Sequence, residues 1–286
     1  LSGKISRGLN IAGAARKWLW LGLVMFQLAA IAGGSPWQRV VVIGASASSG
    51  FVLSEPFGGT NTDQCRLSYY LDAAIAVPHE PLKNLSSAML FMSPEAIATQ
   101  EIEAATNNQP TLVIAVDFMF WFCYGQGRND VERAQRFEYG LKLLERLPCP
   151  LIVGDIPDAS AATNSGIISS AQVPSETARA AANKRLREWA AHRAGVTVVP
   201  LDQFMKSVVA NTAIRSPHVF VPAGKTSILL QNDRLHPNPH GAAILALGIL
   251  DELVAGQATF SANEVRWDFD EVLKHGQAAA LPRGKD

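Results

Sequence analysis

Val40-Val41-Val42-Ile43-Gly44-Ala45-Ser46 carries four consecutive apolar residues that end at a glycine and a small-residue turn. A run that short and that uniformly apolar predicts a strand buried on both faces, the kind found in parallel sheets. The pattern repeats down the chain. Leu112 to Val116, Pro150 to Val153 and Val196 to Val199 predict three more such strands, and Pro81 to Asn84 a weaker one. Helical stretches lie between and around them. They are Asp63 to Val77, a helix with Ser93 as cap and Pro94 as first helical residue running to about Asn107, and Asp130 to Leu147. A further helix is capped by Ser175, with Ala178, Ala182, Leu186 and Trp189 on one face, and Pro239 to Val254 predicts a last core helix. Strands alternating with helices predict an α/β fold whose parallel sheet has helices on both faces. Asp158 to Ser175, rich in Ala, Ser and Asn, predicts a loop and a candidate lid, and the tail after Gly276 a frayed end.

The composition sets limits on what such a fold is for. The chain has 286 residues, 48% of them hydrophobic and 17% charged, enough to bury a large core and too apolar for wholesale disorder. Lys+Arg and Asp+Glu balance at 25 each, which removes the electrostatic case for a nucleic-acid partner. Cys65, Cys123 and Cys149 have no zinc spacing and are too few for a disulfide scaffold, so they read as buried structural thiols.

The first 37 residues predict a targeting segment. Lys4, Arg7, Arg16 and Lys17 precede the first acid, Glu55, and Trp18 to Ala32 is uncharged. Ala30-Ile31-Ala32 offers a small-x-small cleavage pattern. That order describes an export signal or an N-terminal membrane anchor, with the protein lying outside the cytoplasm and touching the membrane through this segment alone. Residues 38–286 are then the folded domain.

Ligands on such sheets collect at the carboxyl ends of the strands. The first of these ends reads Gly44-Ala45-Ser46-Ala47-Ser48-Ser49-Gly50. It lacks the glycine spacing of a dinucleotide turn, the lysine of a P-loop and the final glycine of a nucleophile elbow. What remains is Ser46 at a strand end, ahead of a helix start. A serine is a poor nucleophile at neutral pH unless a neutral imidazole takes its proton, and the imidazole needs a carboxylate to fix its tautomer. Asp233-Arg234-Leu235-His236-Pro237-Asn238 supplies both from one loop ahead of the last helix. His236 and His240 are four apart, but the prolines around them argue against a metal pair on one helical face, and no metal or other cofactor is expected.

Gly44-Ala45-Ser46 near the start of the domain and Asp233-x-x-His236-Pro237-Asn238-x-x-Gly241 near its end resemble the SGNH or GDSL hydrolase superfamily over about residues 38–256. The resemblance implies a three-layer α/β/α sandwich with a mainly parallel, flavodoxin-like sheet. It implies Ser46 as nucleophile, His236 as general base and then acid, and Asp233 as the orienting carboxylate, with no cofactor. It also implies an oxyanion hole from the N–H groups of Ser46 and Ser86 and a side chain at position 117. The departures are Ala45, Ser86 and Asp117, where the family has Asp, Gly and Asn. Asp117 is the sharpest of them, because an ionised carboxylate donates no hydrogen bond and repels an oxyanion. Three readings stand: Asp117 is held protonated among Phe118, Phe120 and Trp121 and donates, it turns away onto backbone, or the protein is a catalytically weak relative.

Phe118 and Trp121 are candidate walls for an acyl group or a stacking surface for a sugar ring, and Asp155 a candidate contact for substrate hydroxyls. Together these readings predict an exported serine esterase acting on acetyl or other short-chain esters, with a small-molecule or O-acylated carbohydrate substrate. An O-acyltransferase on the same triad and a glycan-binding relative are the alternatives.

Overall fold

Side chains that alternate along each strand point into two separate apolar layers, and this alternation builds the molecule. The computed structural model describes residues 34–126 and 129–280. Strand β1 (Val40–Val42) leads to helix α1 (Ser46–Ser49), α2 (Thr60–Gln64), α3 (Leu67–Ala74) and edge strand β2 (Lys83–Asn84). Then follow α4 (Pro94–Asn107), β3 (Leu112–Ala115), α5 (Phe120–Cys123), α6 (Asp130–Leu144), β4 (Leu151–Gly154), α7 (Glu176–Ala191) and β5 (Val196–Val199). The chain closes with α8 (Leu201–Val209), a small antiparallel hairpin of β6 (Ile214–Arg215) and β7 (Phe220–Val221), α9 (Pro239–Gly256) and α10 (Phe269–Ala280).

The main sheet has the order β2-β1-β3-β4-β5 and is parallel throughout. This is the flavodoxin-like order, in which the chain reverses direction across the sheet between β1 and β3. Val40, Val42, Leu112, Ile114 and Ile152 face one layer, with Leu71 of α3, the apolar residues of α9 and Val272 of α10. Val41, Val113, Ala115, Leu151 and Val153 face the other, with Ala98 and Ile102 of α4, Phe137 and Leu141 of α6 and Leu186 of α7. The fold is a three-layer α/β/α sandwich. Among the described residues, α9 is the one helix long and apolar enough to cross a membrane, but 61% of its span is buried inside this sandwich.

Several boundaries differ from the sequence expectation. Of the expected targeting segment, residues 1–37, the first 33 lie outside the described residues. Trp37 belongs to the folded unit, fully buried with its ring 4.8 Å from that of Phe260. The expected helix from Asp63 to Val77 is broken at Cys65 and Arg66, because the turn at Gly50 presses on it. A Cβ added to Gly50 would lie 2.4 Å from the Thr62 carbonyl and 2.6 Å from the Arg66 nitrogen. The tail is not frayed directly after Gly276, since α10 runs on to Ala280 with Gly276 seated on the Tyr70 ring. The 158–175 stretch is a fixed loop instead of a free lid. Ala159, Ala162 and Ile168 are buried in the core, and the Arg133 guanidinium donates to the carbonyls of Ala171 and Gln172.

Candidate active site

The site lies where the sheet order places a crevice, at the carboxyl ends of β1 and β3. Gly44 turns the chain out of β1 with φ +139°, and a Cβ there would stand 2.1 Å from an Asp117 oxygen. Glycine is required at that position both for the backbone and for the space. Ser46 follows as the first residue of α1, half-buried, and Gly50 ends the helix in the left-handed conformation.

The last loop reaches the same point from the other end of the chain. His236 Nε2 lies 2.7 Å from Ser46 Oγ, and His236 Nδ1 lies 2.8 Å from Asp233 Oδ2. With its Nδ1 proton on Asp233, the imidazole accepts the Ser46 hydroxyl proton at Nε2. Asp233 Oδ1 also accepts from the N–H groups of Leu235 at 2.9 Å and His236 at 3.0 Å. Burial pushes the Asp233 carboxyl up, but the hydrogen bonds and the neighbouring His236 outweigh it and hold the group below its ordinary value. Both Asp233 and His236 are 2% exposed, and the Phe51 ring lies 4.5 Å from the imidazole. Gln231 ties the two loops together, its Nε2 donating to the Phe51 carbonyl at 2.8 Å and the Pro237 carbonyl at 2.9 Å. His240 does not converge with His236. It lies beside Phe269.

The remaining residues singled out from the sequence divide between the site and its surroundings. Asp117 presents no donor to the site. Its Oδ1 accepts from the Ala45 N–H at 3.0 Å and the Ser48 hydroxyl at 2.6 Å, and its Oδ2 accepts from the Ser48 N–H at 3.0 Å. It clamps the turn that carries Ser46, which agrees with the reading in which it turns onto backbone. The Ser86 N–H is committed to Asn84 Oδ1 at 3.0 Å, so it is not turned to an oxyanion. Within the described residues no hydrogen bond engages the N–H of Ser46 or Ala47. These two first-turn amides of α1 are therefore the available donors.

Phe118 and Trp121 do not line the cavity beside Ser46. Both are buried in the layer of α4, α6 and α7. The chain after β3 turns directly into α5, so the two-residue alternation of a strand stops at Asp117. Phe120 takes the place expected of them. It lines the cavity, and Tyr124 stacks on it at 4.2 Å. Asp155 borders the same cavity, and each of its oxygens has a protein partner. Oδ1 accepts from the Asp202 N–H at the start of α8, and Oδ2 pairs with Arg187 at 3.3 Å. Burial pushes its carboxyl up. It anchors the start of α8.

One buried group has no counterpart in the sequence reading. Glu101, on the inward face of α4, accepts the Gly44 N–H at 2.8 Å, while its other oxygen is buried with no partner among the described residues. Burial, reinforced by the neighbouring Asp117, pushes its carboxyl up to about 9. The signal was an acid inside the apolar stripe of Ala98, Ile102 and Ala105. The three cysteines are free, and burial pushes Cys65 and Cys149 up to about 11 and Cys123 to about 12, which leaves them poor nucleophiles.

The cavity at Ser46 has a volume of about 70 Å³. Beyond Ser46, His236, Asp117 and Asp155, its walls are apolar or backbone: Phe120, Ile156, Leu201, Phe204, Leu235 and Leu245 stand among them. No family model matches the chain, and no curated protein matches it. Among solved structures the chain is similar to the protein YxiM of Bacillus subtilis, at 15% identity and a TM-score of 0.44. The alignment covers 78% of this chain and 58% of that one, so the chain spans less than two thirds of that protein's length.

Proposed function

We propose that this protein is a serine esterase that hydrolyses short-chain acyl esters through an acyl-enzyme. The observation that carries the reading is the continuous hydrogen-bonded series Ser46–His236–Asp233, with its nucleophile opening on a small apolar cavity. His236 withdraws the hydroxyl proton as Ser46 Oγ attacks the ester carbonyl, and Asp233 stabilises the imidazolium that forms. The first-turn amides of Ser46 and Ala47 are the donors nearest the developing oxyanion. His236 then returns the proton to the leaving alcohol. A water, deprotonated by the same imidazole, attacks the acyl-enzyme and releases the acid.

The cavity favours a short acyl group. Its volume is about 70 Å³, roughly half the ~150 Å³ of a cavity that holds benzene. The lining carries few free polar atoms, which suits an acyl chain better than a sugar ring. The leader expected from the sequence supports work outside the cytoplasm, where acylated envelope or extracellular carbohydrate would be the substrate class.

The test is hydrolysis of p-nitrophenyl acetate and of an acetylated sugar by the wild type, Ser46→Ala and His236→Ala. Each substitution is expected to lower kcat by a factor on the order of 10⁴. A wild type no faster than Ser46→Ala rules the esterase reading out.

A further inference from the structure

The cavity beside Ser46 does not end at open solvent on its α8 side. It ends at Leu201, Phe204 and Leu245, and these same three side chains border a second cavity of about 240 Å³. The second cavity lies between α8, the β6–β7 hairpin and α9, and Ile214, Val219, Ile244 and Gly248 are among its walls. The three shared residues are all apolar. Leu245 is 8% exposed and held in the body of α9, whereas Leu201 and Phe204 sit half-buried on the first turn of α8. Asp155 and the Arg179 guanidinium fix that turn through the Asp202 N–H and carboxylate. The partition is therefore part of a braced helix start.

We propose that the Leu201–Phe204–Leu245 wall sets the acyl length that the enzyme accepts. This inference rests on the esterase reading and deepens it. The acyl chain enters from Ser46 and stops at the wall. The cavity behind is an extension that longer chains would fill if the wall were opened. One methylene accommodated or refused by an apolar pocket changes kcat/KM by about 10–200-fold, so a single phenyl ring at the end of a short pocket is a strong selector.

Gly248 provides an independent control. A Cβ built on it meets no atom within 4 Å, and Gly248 borders the second cavity, so a larger side chain there starts in open space beside it. It lies in the middle of α9, where a leucine also favours the helix.

The experiment is a chain-length series of p-nitrophenyl acetate, butyrate, hexanoate and octanoate. It compares wild type, Phe204→Ala, Gly248→Leu and the double variant, each first checked for folding by circular dichroism. The wild type and Gly248→Leu are expected to prefer acetate or butyrate, with kcat/KM on octanoate at least about tenfold lower. Phe204→Ala should raise the ratio of octanoate to acetate kcat/KM by about tenfold or more. The double variant should return to the short-chain profile, because the leucine introduced on α9 refills the space that the lost ring opened. Should Phe204→Ala fail to fold, Leu201→Ala opens the same wall and is scored the same way.

A wild type that already hydrolyses octanoate as well as acetate overturns the wall. So does a folded Phe204→Ala with an unchanged profile, or a double variant that keeps the long-chain gain. In those cases the esterase reading stands on its Ser46-dependent turnover of acetate. Absence of any Ser46-dependent turnover removes both.

Discussion

Asp117 accepts three hydrogen bonds from the turn that presents Ser46, and every one comes from a donor that an asparagine could not serve as well. Replacing the carboxylate by a carboxamide swaps one acceptor oxygen for an NH₂ group. Whichever way the amide is placed, that group faces an N–H or O–H of Ala45 or Ser48. The substitution thus breaks at least one buried bond and sets donor against donor, at a cost of about 1–3 kcal/mol. Asp117→Asn is accordingly expected to lower the melting temperature and to reduce kcat by about 10–100-fold, since the turn that aims Ser46 loosens. If the asparagine instead raises kcat and leaves the melting temperature alone, the residue belongs to the oxyanion hole after all. The sequence placed Asp117 at the site but not its orientation. Whether a carboxylate faces the substrate or the backbone behind it depends on where Ala45 and Ser48 lie, and they are about seventy positions away in the chain.

The elements were legible where burial alone dictates them. The Val, Ile and Leu runs of β1, β3, β4 and β5 have both faces covered, so their composition is sufficient to identify them. Elements set by tertiary contact were not. The split between α2 and α3 comes from the Gly50 turn touching Arg66, which no periodicity encodes. The α5 helix interrupts the alternation after β3, so Phe118 and Trp121 turn inward while Phe120 meets the cavity. Leu201, Phe204, Met205 and Val208 do repeat at helical spacing, and α8 bounds the cavity beside Ser46. The loop that holds His236 shows the opposite case, since Asp233-x-x-His236-Pro237-Asn238 is local and carries its own geometry. Asn238 caps α9 through the Gly241 N–H at 3.0 Å and donates to the Ile228 carbonyl at 2.6 Å, with Pro239 as the first helical residue. It thereby fixes the exit of the loop that holds His236. Asn238→Ala is expected to cost about 1 kcal/mol of stability, read as a lower midpoint in urea, and to lower kcat more than it raises KM. Asn238→Asp, which keeps the cap acceptor but sets a carboxylate oxygen against the Ile228 carbonyl, should recover only part of the stability. A wild-type midpoint for the alanine variant would show that the loop is held without the cap.

At the scale of the whole molecule, two buried carboxyls near the Ser46 turn shape stability against pH in opposite senses. Asp233 is held below its ordinary value by His236 and two backbone amides. Its contribution is present above the ordinary carboxylate range and is lost as pH falls through its folded-state value. Glu101 is raised from 4.5 to about 9, chiefly by burial. In the unfolded chain it ionises near 4.5, so between that pH and about 9 the folded state holds a proton that the unfolded state does not. Stability from this group is complete below the lower limit and declines as pH rises toward the upper one. The slope for one proton is at most about 1.4 kcal/mol per pH unit. A protein of this size loses roughly 2–4 °C in melting temperature per kcal/mol, so the wild type should melt several degrees lower at pH 9 than at pH 6. Glu101→Gln keeps an oxygen for the Gly44 N–H and has no proton to lose. Its melting temperature should fall less over the same interval, and above pH 8 the variant should be the more stable protein. Thermal unfolding from pH 5 to 9 decides the matter. Parallel curves for the two proteins would mean that Glu101 does not carry its proton through neutrality. The alkaline limb would then come from elsewhere in the sandwich.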